Sequence, residues 1–161
     1  MTTPLTISNN YKFSTEGIAP LHIVLAEDDY DDCYLFKYAL EEIKLPCTLA
    51  TVKNGEVLMD LLNDETRQMP DILFLDINMP RKNGFECLEE IKNNERLKHL
   101  PVIIFSTSFS PPIIDQLYKE GARYYIRKPD DVKEFKNVIY QAITLATQKD
   151  NTQPSAENFV L

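Results

Sequence analysis

Five short apolar runs divide the chain, and each is followed by a polar turn and a longer segment of mixed polarity. Their rich content of β-branched and aromatic side chains predicts strands. The segments between them repeat apolar residues every three or four positions, which predicts amphipathic helices. Strict alternation of strand and helix predicts a parallel sheet covered on both faces, that is, a doubly wound α/β fold. The predicted strands are 22–26, 47–52, 72–75, 101–105 and 123–127.

Capping residues and prolines suggest where the helices begin. The first helix is expected over 31–44, with Asp31 or Asp32 available to cap its start. Asp29, the third of three consecutive acids, is also interpreted as a helix cap. The proline pair at 111–112 suits the first turn of the fourth helix, since proline lacks the amide hydrogen that this turn leaves unbonded. An apolar stripe over 132–146 predicts the last helix.

Both ends of the chain lack helical or strand periodicity. Residues 1–20 are therefore expected to form a flexible N-terminal leader, and 148–161 a polar C-terminal tail, on either side of one domain at 21–147. The tail ends on three apolar residues, 159–161. Such an end is more often frayed than functional, although it could dock on a partner or on a second copy of the chain.

The charge balance and hydropathy narrow the class of protein. The chain has 161 residues with 25 acidic against 17 basic side chains, a formal net charge of -8 and a pI near 4.8. This excess of negative charge opposes binding to nucleic acid or to anionic membranes. No apolar run approaches the about 18 residues of a membrane span, and the start lacks a signal-peptide pattern, so a cytoplasmic protein is expected. Cys33, Cys47 and Cys87 lie in apolar segments and are expected to be reduced thiols.

Chemically capable side chains follow four of the five predicted strands. Glu27 and Asp28 follow the first strand, Asp76 the third, Ser106 the fourth and Lys128 the fifth. In an open parallel sheet the carboxyl ends of the strands meet at one edge, where ligands bind. Any one of these residues could simply form a turn or cap a helix, but their convergence is harder to explain in that way.

The predicted cluster favours a divalent cation. Three crowded carboxylates repel one another unless a cation or a proton intervenes. A site with oxygen ligands and no His or Cys favours a hard ion. A coordination sphere of a few carboxylates, completed by water and a phosphate oxygen, suits Mg2+. A phosphoryl group at this site would find a point charge on Lys128 and a hydrogen bond from Ser106. Asp76 is then either a metal ligand or the nucleophile.

In order and spacing these residues resemble the receiver domain of two-component response regulators. The resemblance rests on the acid pair 27–28, on Asp76 within the sequence Asp-Ile-Asn-Met-Pro-Arg-Lys-Asn-Gly, on Ser106 thirty positions later and on Lys128 a further twenty-two positions on. It covers about 21–146. The resemblance implies a flavodoxin-like (βα)5 fold with strand order 2-1-3-4-5.

The resemblance also implies a set of roles for the site residues. Asp76 would accept the phosphoryl group, and Glu27 and Asp28 would bind Mg2+ directly or through water. The backbone carbonyl of Asn78 would complete the metal ligands from the protein. Lys128 would pair with Asp76 or with its phosphoryl group.

Further implied features concern the switch. Ser106 would move in to bond a phosphoryl oxygen, and Tyr125 would turn inward as it did so. A cis peptide bond before Pro129 would aim Lys128 into the site. Thr107 stands where a smaller residue is frequent, so entry to the site is expected to be narrow.

The function predicted from this resemblance is that of a single-domain response regulator. It would take a phosphoryl group from a sensor histidine kinase or a phosphotransfer protein, and would catalyse nothing beyond its own phosphorylation and dephosphorylation. Its output would be binding to an unknown downstream protein, or to a second copy in a homodimer, through the fourth helix, fifth strand and fifth helix.

Two other functions compete with this prediction. A phosphatase of the haloacid dehalogenase type also uses an Asp at a strand end with Mg2+, but that family requires a second Asp where this chain has Asn78. A receiver-like adaptor that binds partners without phosphorylation is the other alternative. The intact acid pair, Asp76, Ser106 and Lys128 argue against the adaptor.

Overall fold

The apolar runs form one five-stranded parallel sheet in the computed structural model, which describes residues 19–148, 150 and 152–161. The strands lie side by side in the order β2-β1-β3-β4-β5. This order confirms the predicted doubly wound, flavodoxin-like architecture. The strands are Leu21–Ala26 (β1), Cys47–Val52 (β2), Ile72–Leu75 (β3), Val102–Ser106 (β4) and Tyr124–Arg127 (β5).

Five α-helices connect and follow the strands. Their starts are fixed by side chains that accept hydrogen bonds from the first-turn amides, as Asp131 does before the last helix and Asn83 before the third. Asp29 caps the first helix by accepting a hydrogen bond from the amide of Asp32, which confirms the prediction of Asp29 as a cap; neither Asp31 nor Asp32 takes this role. The helices are Tyr30–Ile43 (α1), Gly55–Asn63 (α2), Gly84–Lys92 (α3), Pro111–Lys119 (α4) and Val132–Ala146 (α5).

The helices cover the sheet with two apolar layers. One layer packs α2, α3 and α4 against one face of the sheet, and the other packs α1 and α5 against the opposite face. In the second layer Phe36 meets Phe74 edge to face at 4.8 Å, and Phe105 meets Phe135 at 5.4 Å. β3 and β4 are buried along their whole length, as the central strands of a covered parallel sheet should be.

The polar groups that follow the strands are held by the backbone of the neighbouring strands. The amide of Glu27 donates to the carbonyl of Val52 at 2.9 Å, and the amide of Asp76 donates to the carbonyl of Ala26 at 3.0 Å. The ladder of the sheet therefore continues one residue beyond β1 and β3. This extension fixes where both carboxyl side chains begin.

The start of α3 packs unusually close to the end of β3. The amide of Gly84 donates to the carbonyl of Ile77 at 2.9 Å. A Cβ on Gly84 would lie 2.4 Å from the backbone oxygen of Asp76 and 2.7 Å from the Cα of Ile77. Only a residue without a side chain allows this approach, which closes the loop after Asp76.

The structure describes the C-terminal end of the chain but little of the N-terminal end. The predicted leader lies outside the described residues apart from positions 19 and 20. The C-terminal residues 152–161 are described and include a 3-10 turn at Ala156–Asn158. All three cysteines are free thiols, as predicted. Among the described residues, every helix is too short or too polar to cross a membrane.

We expect Gly84→Ala to lower the free energy of unfolding by about 1–3 kcal/mol, because backbone atoms of Asp76 and Ile77 would have to move to admit the new methyl group. Urea denaturation followed by circular dichroism measures this change. Glu89→Ala, on an exposed position of the same helix, is the matched control and should stay within about 0.5 kcal/mol of the wild type. Equal stability of the two variants would contradict the tight approach.

Candidate functional site

The pairing of the strands brings the predicted site residues to one edge of the sheet. Ala26 pairs with Leu75, so the residues that follow them, Glu27 and Asp76, lie next to each other. On the other side Ser106 pairs with Arg127, the residue before Lys128. The amide of Lys128 donates to the carbonyl of Ser106 at 2.8 Å. Four strands therefore deliver these side chains to the same edge.

Three of the predicted acids form a compact cluster. Glu27, Asp28 and Asp76 each offer one carboxylate oxygen, and these oxygens all lie within 4.8 Å of one another. Glu27 is fully buried and Asp76 is 4% exposed, whereas Asp28 is exposed. The cluster thus opens to solvent on the side of Asp28.

A single ammonium group reaches into the acid cluster. The Nζ of Lys128 lies 2.5 Å from Oε2 of Glu27, 2.9 Å from Oδ2 of Asp32 and 3.7 Å from Oδ2 of Asp76. It also lies 5.0 Å from the centre of the Phe105 ring, in cation–π geometry. Lys128 therefore lies closest to Glu27 and Asp32, and less close to Asp76.

Asp32 is the residue of this site that the sequence analysis assigned to a different role. It was considered only as a helix cap, because Asp is common there. In the structure Asp29 takes the cap, and the first turn of α1 points the carboxylate of Asp32 at Lys128. The available signal was the position of Asp32 three residues beyond the capping Asp29, which brings the start of α1 back over the sheet edge.

Burial dominates the protonation behaviour of the cluster. It raises the pKa of Glu27 to about 8, with the charge of Asp76 adding to the effect and the hydrogen bond from Lys128 opposing it. Burial also raises the pKa of Asp76, against the attraction of Lys128. For Lys128, burial lowers the pKa, but the hydrogen bonds to Glu27 and Asp32 and the charge of Asp76 together outweigh it and leave the pKa raised. The site thus gathers four carboxyl groups, those of Glu27, Asp28, Asp32 and Asp76, around the one ammonium group of Lys128.

The donor set fits a hard divalent cation. All the clustered ligand atoms are carboxylate oxygens, and one of the three residues, Asp28, is exposed to solvent. A divalent ion there would supply the positive charge that the buried acids lack. Asn78 is exposed, and its backbone amide donates to Oδ1 of Asp76 at 3.3 Å. The predicted metal contact of the Asn78 carbonyl remains a prediction.

Ser106 and Tyr125 lie behind this cluster and meet at the loop after β4. Ser106 is fully buried, and its hydroxyl oxygen accepts a hydrogen bond from the amide of Ser108 at 3.2 Å. The hydroxyl of Tyr125 donates to the carbonyl of Ser108. Burial raises the pKa of Tyr125, and a hydrogen bond with Ser106 partly opposes this shift. Ser106, Ser108 and Tyr125 thus form one connected group.

The peptide bond before Pro129 differs from the expectation. The described residues contain no cis peptide bond, so the Lys128–Pro129 bond is trans and the predicted cis bond was wrong. The backbone of Lys128 is instead held in place by the pairing of β4 with β5, which its own amide extends by one residue. Thr107, which was expected to narrow the entrance, is exposed.

A family model described as the response regulator receiver domain matches residues 23–140. The match contains every site residue described above.

Curated relatives match over most of the chain. Response regulator Rcp1 of Synechocystis sp. is 29% identical over 130 residues, which is 78% of this chain and 88% of the relative. The probable methanogenesis regulatory protein FilR2 of Methanothrix harundinacea is 28% identical over 127 residues, covering 77% of this chain and 82% of the relative.

Solved structures agree with the fold. The phosphorylated cyanobacterial phytochrome response regulator RcpA is 31% identical with a TM-score of 0.76, and the match covers 85% of this chain and 100% of that one. The Mn2+-bound form of response regulator Rcp1 is 27% identical with a TM-score of 0.73, and covers 84% of this chain and 100% of that one.

We expect Lys128→Met to lower the free energy of unfolding by about 1–3 kcal/mol at neutral pH, because it leaves the buried carboxyl of Glu27 without its partner while keeping an apolar stem beside Phe105. A divalent cation should restore part of this loss. Adding MgCl2 is therefore expected to raise the melting temperature of Lys128→Met more than that of the wild type, as measured by differential scanning fluorimetry.

Lys133→Met serves as the matched control, because Lys133 is exposed at the start of α5. Its stability and its response to MgCl2 should equal those of the wild type. An equal MgCl2 response in Lys128→Met and the wild type would contradict the charge imbalance inferred for the cluster.

Proposed function

Because the chain belongs to the response regulator receiver family, and so is a phosphoacceptor signalling domain of two-component systems, we propose that Asp76 is the residue that takes the phosphoryl group. The observation that carries this proposal is the position of Asp76. It stands at the end of the central strand β3, in contact range of both the acid cluster and the Lys128 ammonium. Its near-complete burial keeps bulk water from most of the carboxyl.

Receivers of this family bind a divalent metal, and the metal proposed here is Mg2+. The carboxylates of Glu27, Asp28 and Asp76 and the carbonyl of Asn78 would hold it. When bound, Mg2+ supplies positive charge that offsets the negative charge on the phosphoryl oxygens. The all-oxygen donor set supports this choice over softer metals.

The proposed reaction is a displacement at phosphorus by a carboxylate oxygen of Asp76. The oxygen–phosphorus bond forms as the nitrogen–phosphorus bond of a phosphohistidine breaks, and the histidine ring nitrogen keeps the electron pair and takes a proton. Water later hydrolyses the mixed anhydride and returns the carboxyl of Asp76 and inorganic phosphate. No chemistry on any other substrate is proposed.

Lys128 is proposed to follow the charge as it moves. Its ammonium now lies nearest Glu27 and Asp32, and 3.7 Å from Asp76. A phosphoryl group on Asp76 would place new negative charge on that third side, and a short shift of the flexible lysine stem would then pair the two. Asp32 and Glu27 would position the ammonium until that moment.

The proposed partners follow from this chemistry. The phosphodonor is a histidine of a sensor kinase or of a phosphotransfer protein, as the family implies. The response is proposed to pass through Ser106 and Tyr125 to the surface formed by α4, β5 and α5, where a downstream protein or a second copy would bind. The net charge of -8 supports protein partners over nucleic acid or anionic membranes, and a cytoplasmic location is proposed with them.

Incubation with acetyl phosphate and MgCl2 should add one phosphoryl group to the wild type, detected by intact mass. Asp76→Asn should show no gain, because its amide is not a nucleophile of this kind. EDTA should suppress the gain in the wild type, and Asp28→Asn should slow it, since both weaken the metal site. A phosphoryl group retained by Asp76→Asn would overturn the assignment.

Ser106→Ala should still gain the phosphoryl group on Asp76 but lose the response at Tyr125. The reason is that the hydroxyl of Ser106 is the group proposed to leave the Ser108 amide and bond the phosphoryl oxygen. The chemical shift of the Tyr125 amide, recorded with and without acetyl phosphate and MgCl2, reports this response. Ser110→Ala is the control, because the side chain of Ser110 makes no capping hydrogen bond at α4. Equal shifts in Ser106→Ala and the wild type would exclude Ser106 as the link.

A further inference from the structure

The C-terminal segment 152–161 lies along the outer edge of the sheet beside β5. The amide group of Gln153 donates to the carbonyls of Tyr118 and Ala122 at 2.7 and 2.8 Å. In return the hydroxyl of Tyr118 donates to the carbonyl of Pro154 at 2.9 Å. These three hydrogen bonds anchor the segment to the end of α4 before it reaches the sheet.

The end of this segment pairs with β5 as a further parallel strand. Val160 pairs with Tyr125 in a parallel bridge. The amide of Tyr125 donates to the carbonyl of Phe159, and the amide of Leu161 donates to the carbonyl of Tyr125, both at 2.9 Å. Both outward backbone groups of Tyr125 are therefore satisfied by the segment. Without it they would lie on a bare sheet edge.

The side chains of the segment pack against the apolar layers on both faces of the sheet. Phe159 is 1% exposed and joins the apolar layer under α4, with its ring centre 5.2 Å from that of Tyr118 and 6.4 Å from that of Tyr125. Leu161 packs against the opposite layer, whereas Val160 is 37% exposed. Burial of one phenylalanine contributes on the order of 2–3 kcal/mol. The apolar end of the chain is thus docked on its own domain.

Tyr125 is the point where this segment meets the site. Its hydroxyl donates to Ser108, whose amide is held by the hydroxyl of Ser106. The ring and the backbone of the same tyrosine contact Phe159 and its neighbours. A continuous path of contacts therefore runs from Ser106 through Ser108 and Tyr125 to Phe159.

We propose that the C-terminal segment 152–161 acts as a tethered strand that closes the β5 edge and is released when Asp76 is phosphorylated. This proposal rests on the function proposed above. A phosphoryl group that draws the hydroxyl of Ser106 away from Ser108 frees the loop that accepts the Tyr125 hydroxyl. Tyr125 then loses the position against which Phe159 packs, and the strand loses its support.

The coupling acts in both directions, because linkage between two sites is reciprocal. A docked strand holds Tyr125 in the arrangement bonded to Ser108 and so opposes phosphorylation. Loss of the strand removes this opposition. Release also bares the parallel edge of β5 beside an apolar slot lined by Tyr118 and Tyr125, which fits an extended peptide with one bulky apolar side chain.

The test compares Phe159→Ala with Val160→Ala in the full chain. Phe159→Ala removes the buried ring, whereas Val160→Ala changes an exposed position next to it in the same strand and is the matched control. Hydrogen exchange at the amides of Leu161 and Tyr125, measured by NMR, reports docking. Intact mass measured on the same samples reports phosphorylation from acetyl phosphate and MgCl2.

In the wild type and in Val160→Ala, phosphorylation should speed exchange at both amides by about fivefold or more. In Phe159→Ala exchange should already be fast without acetyl phosphate, and the phosphoryl group should be gained faster than in the wild type. Exchange rates that do not depend on protein concentration are expected, since the strand docks on its own chain.

Four results would overturn the proposal. Unchanged exchange in wild-type protein whose mass shows the phosphoryl group would exclude the coupling while leaving the phosphoacceptor function intact. Slow exchange in Phe159→Ala would exclude Phe159 as the anchor, and faster exchange on dilution would show that the strand docks between copies. Absence of the mass gain would instead refute the proposed function, and the coupling with it.

Discussion

The rest of the site depends on the burial of the Lys128 ammonium among carboxylates at the ends of two strands and the start of α1. A buried charge is costly unless it is paired, and here the pairing joins Glu27 after β1, Asp32 in α1 and, more loosely, Asp76 after β3. The carboxyl edge of the sheet is thus held together by charge where the apolar layers end. Removing either sign leaves the other without compensation.

The carboxyl groups of this arrangement outnumber its one ammonium group. Burial raises the pKa of Glu27 and of Asp76, which means that ionising either carboxyl inside the folded chain costs free energy. A bound divalent cation would lower that cost, and the proposed phosphoryl group would then add negative charge that both the cation and Lys128 could offset. The same imbalance that costs stability makes the site responsive to the ligands of its family.

The proposed response would have a short path of contacts to the far edge of the sheet. Ser106 ends β4, Tyr125 lies in β5, and the loop residue Ser108 bonds to both side chains. β4 is buried along its whole length and has little room to move, so the proposed change at the site would be taken up by this loop and by the tyrosine ring. Phe159 lies at the end of the path, which makes the C-terminal segment part of the same connected unit.

The sequence by itself determined the fold and the gathering of the site, because strand and helix periodicities are local and parallel strands end at a common edge. Asp76 and Lys128 could be placed together from their positions after β3 and β5 alone. Only the tertiary structure decided that Asp32 binds Lys128. An Asp at the start of a helix can serve as a cap or as an ion-pair partner, and the two roles look the same in the sequence until the helix is oriented. The docking of Phe159 on its own domain was equally hidden, since three apolar residues at the end of a polar tail have no period, and Phe159 gains its place only when Tyr125 and Tyr118 form the surface that receives it.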